Sequence, residues 1–389
     1  MPMYETTDQV DQHNKQIKRK RLIRLAVIAG VLILGTVLFF TRDMWLSGIR
    51  GVGRQYQIIV NDGQLAGGNF PLELSPEASY QLEMTGKDIA ILDDAYITFY
   101  NTEGSMIKKR LHEYSNPIMC SAGDGRILLY EHGGDEFCVE TDNAILYKDT
   151  FDEDILFARS SPEGYTAVVL TSDNFDCEVM VYNRKGRVIY DRKCIERVSG
   201  ISFRDDSRSC IISYLSAENG ELVTSVQDVD LHENVDRWTS PGLDALGLEV
   251  YGYDGGAFVL GKESCGYINN TGGISSYYRY DGELAGGDSQ DGKSAVIVNN
   301  EALRRYTMAL YSGGSSEPVI VEFDQPLTDV KVSEGLAYVM GRQMITAYDF
   351  DGSVRSTVEI SDSYTGFVRG NKHIFLKGFS RIDRIDFES

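Results

Sequence analysis

The chain has 389 residues, 42% of them hydrophobic, and a formal net charge of −20 from 38 basic and 58 acidic side chains. That length can bury one large core or two ordinary ones, and 39 glycines with few long helical patterns favour an all-β architecture. Six basic and three acidic residues precede Arg42, giving +3 there and −23 (32 basic, 55 acidic) in the remainder; so acidic a body repels phosphate backbones and argues against nucleic acid as a partner.

Residues 1–24 are polar and end in the basic run KQIKRKRLIR. The next seventeen residues, LAVIAGVLILGTVLFFT, run from Leu25 to Thr41 without a charge. At a rise of about 1.5 Å per residue they nearly cross a hydrocarbon core of about 30 Å, and Leu22 and Ile23 lengthen the run if Arg24 snorkels. The run ends in bulky residues where a signal peptidase needs small ones, and it has no polar face to suit a core helix. We therefore expect a single uncleaved transmembrane helix over residues 25–46, touching the lipid bilayer through Leu25 to Thr41, with Trp45 at the outer interface. The excess of basic residues ahead of the span places the tail, 1–24, in the cytoplasm and the acidic body outside it, a single-pass protein of the cell membrane. Residues 47–78 form a glycine-rich linker in which 56–60, Tyr56 to Val60, reads as a strand without a hairpin partner.

From residue 79 to the end a four-stranded meander recurs. Its clearest copy is 155–192, four short apolar runs separated by Ser-Pro-Glu-Gly, Asp173-Asn174 and Asn183-Arg184-Lys185-Gly186. Gly and Asn supply the positive φ that short hairpins demand. Gly86, Gly125, Gly164, Ser207, Gly255, Gly292, Gly335 and Gly370 each announce a second strand, at a mean spacing of about 41 residues. Tyrosines 100, 182, 267, 311 and 348 mark a later hairpin with the same period, although the second and fourth units are degenerate there. Four strands repeating every 40–50 residues signify a β-propeller. Eight markers imply eight blades over 79–389, or seven if 231–261 is not a full unit. The last unit supplies only three strands, so we expect 56–60 to add the fourth and close the ring, removing an unpaired edge.

Phe70-Pro71, the Tyr114-Ser115-Asn116-Pro117 run, Gly164-Tyr165 with Ala167-Val168-Val169, and Val181-Tyr182-Asn183 carry a family resemblance. On these residues the chain resembles an uncharacterised family of bacterial single-pass membrane proteins, mostly from Gram-positive anaerobes, with a short basic tail inside and a propeller outside. The resemblance implies architecture and no activity. AYDFDGSVRS (347–356) is also similar to the hairpin of quinoprotein-like and WD40-like propellers, in which a Trp docks on the next blade; Ser356 stands near that position here, so no quinone is implied.

Catalytic motifs are scarce. His112, His132, His232 and His373 lack metal-ligand spacing, Ser289 sits in a turn rather than a nucleophile elbow, and Asp349-Phe350-Asp351-Gly352 is a weak calcium match better read as a hairpin. No cofactor or metal is expected. Of six cysteines, Cys177 and Cys194 lie at the open end of one hairpin, but simple register sets Cys177 against Arg192; a bulge could bring the two together. Propellers bind through the loops between strands two and three and between blades, and here those are mostly acidic. The candidate binding face is accordingly Asp152, Glu153, Asp154, Asp173, Trp238, Arg304 and Arg305, against the plainer reading of solvated loops. The sequence favours a non-enzymatic binding or scaffold module for a protein or cell-envelope partner. The alternatives are a hydrolase or lyase acting on envelope glycan through Asp152 and Asp154, and a surface sensor using the basic tail.

Overall fold

The computed structural model describes residues 69–75, 79–314 and 317–387. Each of the eight turn markers closes the hairpin between the first and second strands of a four-stranded antiparallel sheet, and eight such sheets follow one another along the chain. They span residues 81–111, 117–150, 155–194, 197–239, 247–279, 283–323, 327–359 and 364–386, and are blades 1 to 8 below. The irregular stretch 231–261 holds the outer strand of blade 4 (Val235–Thr239) and the first strand of blade 5 (Gly247–Tyr253), so the ring has eight blades and not seven.

Second strands are buried on both faces, as in Thr166–Leu170 of blade 3, because each sheet is sandwiched between two others. Outer strands alternate between exposed and half-buried, as in Ile145–Thr150. The core is divided accordingly: eight apolar clusters, one at each interface between neighbouring blades, including the one that joins blade 8 to blade 1. The tyrosine markers fill these interfaces. Tyr182 of blade 3 donates to Asp149 of blade 2 at 2.8 Å, and Tyr267 of blade 5 reaches Gly292 O of blade 6 at 3.0 Å. The two degenerate units bury a carboxylate in this region instead, Glu140 paired with Arg110 and Asp228 held by Arg204 at 2.9 Å.

The ring is closed by a strand from the N-terminal side, but a different one from that expected. Leu72–Glu73 pairs with Arg381–Asp386, Leu72 opposite Ile382, and the Leu74 N–H donates to Ser380 O at 2.8 Å. The propeller thus begins at 72 rather than 79. The run 56–60, the basic tail and the apolar segment 25–46 lie outside the described residues; among those described, no helix is long and apolar enough to cross a membrane.

Register also departs from the simple expectation. Tyr182 pairs with Val188 and a bulge follows before Val181, which together shift the hairpin by two residues and set Cys177 opposite Cys194, not Arg192.

Candidate functional site

Strands one and three of each blade run away from the face that carries the loops between strands two and three and the linkers between blades. On this turn face, Asp152, Glu153 and Asp154 sit on the linker entering blade 3, beside the loop that holds Asp173. The Asp154 N–H donates to Thr171 Oγ1 at 3.1 Å, and the Thr171 N–H returns a bond to Asp154 O at 2.9 Å. The linker that carries the first three acids is therefore bonded to the loop that carries Asp173. Arg304 and Arg305 belong to the corresponding loop of blade 6, three blades further round, where Arg305 pairs with Asp281 at 2.8 Å. Trp238 does not join the face: its half-buried ring packs into the interface between blades 4 and 5, because a bulge between Asp236 and Trp238 resets which side chains of Val235–Thr239 face inward.

The apolar residues at the tips of these turns were not among the expected ones. Ile195 on the linker between blades 3 and 4 is 82% exposed, and Phe379 and Leu303, in the loops of blades 8 and 6, are 76% and 62% exposed. Leu222 in the long hairpin of blade 4 is 55% exposed, and Phe175, Leu248 and Met344 on blades 3, 5 and 7 are exposed too. A tight turn gains nothing from a large apolar side chain in water, so the place of Ile195, Phe379, Leu303 and Phe175 in turns and linkers of this face is a surface property rather than a packing one. Ile195, Phe175 and Phe379 were legible as apolar letters among polar neighbours, a signal outweighed by the loops' acidity.

A second constellation lines the axis. Bulges in the first strands, between Ile155 and Phe157, Gly247 and Glu249, and Leu327 and Asp329, reset the alternation. As a result Arg159, Glu249, Asp288, Asp329 and Lys331 approach one another near the axis together with Glu83 and Lys377. Burial pushes the Glu83 carboxyl up to about 7 against the pull of Lys331, Lys377 and Arg159. Asp288 and Asp329 are raised by burial as well. Burial pulls Lys331 down, but the surrounding carboxylates outweigh it and its pKa is raised.

Some of these groups also stitch the blades together: Asp288 accepts from the Val332 N–H at 2.7 Å and Asp329 from the Phe367 N–H at 3.0 Å. Blade 4 contributes Gly200 and Ser202 at the equivalent place, which leaves a cavity of about 170 Å³ between Arg159 and Glu249, 4.0 Å apart. The sequence signal for this cluster was charge at alternate positions of otherwise apolar strands, as in LTDVKVS (327–333).

The histidines are engaged locally: His112 with Asp93 O at 2.8 Å, His132 with Leu156 O at 2.7 Å and His373 with Asp386 at 2.7 Å, while His232 lies exposed in a turn. Among the described residues no three His, Cys, Asp or Glu side chains converge as metal ligands.

The sequence model of a family of unknown function, DUF5711, matches residues 72–386, the whole ring from closing strand to last strand. The chain belongs to the DUF5711 family. No curated protein matches it. Among solved structures it is similar to the computationally designed protein Ika8 (TM-score 0.63, 11% identity, 82% of this chain and 98% of that one). It is likewise similar to Sqt1 of Saccharomyces cerevisiae (0.62, 10%, 82% and 98%). Sqt1 of Chaetomium thermophilum, bound to the N-terminus of the ribosomal protein L10, aligns with a TM-score of 0.56 at 11% identity over 82% of this chain and all of that one. BamB of Moraxella catarrhalis aligns at 0.51 and 11% over the same shares. At such identities these likenesses establish the propeller fold of this DUF5711 chain and nothing more specific.

Proposed function

We propose that this DUF5711 chain is a membrane-tethered, extracytoplasmic propeller that binds a protein partner through its turn face. The observation that carries the reading is the set of large apolar side chains held in solvent at the turn tips, led by Ile195, Phe379 and Leu303. Exposed apolar groups on a rigid scaffold are what a protein interface buries. The carboxylates between them, among them Asp154, Asp173 and Glu301, favour a partner that sets basic residues beside apolar ones. A propeller of the same fold, Sqt1, holds the N-terminus of another protein, which supports an extended segment as the occupant.

The tether rests on the uncharged run from Leu25 to Thr41 and the basic residues before it. Within the propeller, the Asn69 N–H donates to Glu103 O at 2.7 Å, in the turn between strands three and four of blade 1 on the face opposite the turns.

The test is site-specific photocrosslinking in intact cells. A photoreactive residue in place of Leu303 or Phe379 is expected to trap a discrete partner band, one at Lys87 or Lys185 on the opposite face is not, and Leu303→Asp with Phe379→Asp should weaken capture at least about tenfold. Crosslinks confined to the opposite face, or capture indifferent to the double substitution, would overturn the reading. Added protease that spares the propeller in intact cells and digests it after lysis would overturn its placement outside.

A further inference from the structure

We propose that Cys177 and Cys194 are a disulfide-forming pair that staples the outer hairpin of blade 3 under oxidising conditions. The register sets them directly opposite each other on adjacent antiparallel strands, Cys177–Tyr182 and Val188–Cys194. Opposed residues in such a ladder have Cα atoms about 4.5–5.5 Å apart, inside the roughly 4.4–6.8 Å that a disulfide spans. The bond can therefore form without moving the backbone. None of the other four cysteines has this relation: Cys120 faces Leu128, Cys138 lies between Leu129 and Lys148, Cys210 between Phe203 and Val229, and Cys265 between Leu260 and Tyr278.

The two side chains belong to one opposed pair. Each thiol donates to a main-chain carbonyl, Cys177 Sγ to Glu196 O at 3.7 Å and Cys194 Sγ to Arg192 O at 3.8 Å, and the nearness of Cys194 brings the Cys177 thiol down to about 7 while that of Cys194 is raised. Both side chains are buried, but they occupy the open end of a hairpin whose second strand is the edge of its blade, with no further neighbour in the sheet. Fraying of those last residues exposes both sulfurs at a small fraction of the cost of unfolding the blade.

The chemistry balances with a dissolved disulfide, RSSR, as oxidant. The Cys177 thiolate attacks one sulfur of RSSR, the S–S bond breaks, and one RS⁻ leaves and takes up a proton. The Cys194 thiolate then attacks the Cys177 sulfur of the mixed disulfide and expels the second RS⁻. Two protein thiols lose two electrons and two protons, and RSSR becomes two RSH. The product ties down the edge strand and the origin of the linker that presents Ile195; the proposal stands whether or not the turn face binds a protein.

The full chain in detergent, equilibrated with oxidised or reduced glutathione, would be quenched, denatured and alkylated, and its thiols counted and mapped by mass spectrometry. In the reduced buffer all six cysteines are expected to be alkylated. In the oxidised buffer two are lost, Cys177 and Cys194 appear as one crosslinked peptide, and Cys177→Ser or Cys194→Ser abolishes it. Alkylation of both residues in oxidised glutathione, or a bridge from either to Cys210, would overturn the proposal. The wild-type count decides the matter even if neither serine variant folds.

Discussion

Two glycines of blade 2 separate backbone conformation from packing. Gly123, at φ +65°, ends the approach to the first hairpin, and a Cβ there would lie 1.8 Å from the carbonyl oxygen of Pro162 in blade 3. Gly133, at φ +74°, has nothing within 4 Å of the same position. Alanine costs both sites about 1–2 kcal/mol for the left-handed backbone, so any difference measures the clash with a main chain that cannot swing away. We expect Gly133→Ala to lower stability by about 1 kcal/mol and Gly123→Ala by about 3 kcal/mol or more in urea unfolding. Equal losses would mean that the two blades are not in contact there. The turn letters were legible because a hairpin is local. That Gly123 must also admit a neighbouring blade was not, since the contact depends on how far apart two sheets pack.

Among the elements, the closing strand is the shortest and joins the two ends of the ring. Leu72–Glu73 has two residues, yet Leu72 is buried with Ile89, Phe375 and Ile382, and Tyr80 donates to Gly378 O at 2.6 Å just beyond it. A charge placed there has no partner, so Leu72→Asp should cost about 3 kcal/mol and lower the single melting transition of the domain. A small early transition with an unshifted main melt would show instead that blade 8 is held without this strand. Such closure was legible only in kind. Three strands at the C-terminus demanded a fourth, but a two-residue strand leaves almost no period to read, and the more regular 56–60 looked the better choice. The bulges were hidden for a related reason. Inserting one residue changes which side chains share a face without changing composition, which is why Asp329 and Lys331 passed for ordinary strand residues and Trp238 for a surface one.

At the scale of the whole ring, the charges near the axis come from blades that are distant in sequence, and their titration couples the blades. Glu83 of blade 1 faces Lys331 of blade 7, Lys377 of blade 8 and Arg159 of blade 3, with Asp288, Asp329 and Glu249 sharing Lys331. Burial nevertheless wins at Glu83, whose pKa rises from 4.5 to about 7. A carboxyl raised in the folded state binds its proton more tightly there than in the unfolded chain. Stability from this group therefore falls as pH rises from about 4.5 and levels off above about 7, the reverse of a carboxylate stabilised by its ion pairs. Glu83→Gln removes the titration and keeps the shape. The stability of the variant minus that of the wild type should climb across this window, reaching on the order of 1 kcal/mol once solvent screening of the charges is allowed for. Asp288 and Asp329, also raised by burial, shift both proteins alike and cancel in the difference. Urea unfolding at several pH values between 4 and 8 gives the comparison. Parallel profiles would show that Glu83 ionises normally, and a variant that loses ground above pH 7 would show that the attraction of Lys331 and Lys377 outweighs the cost of burying it.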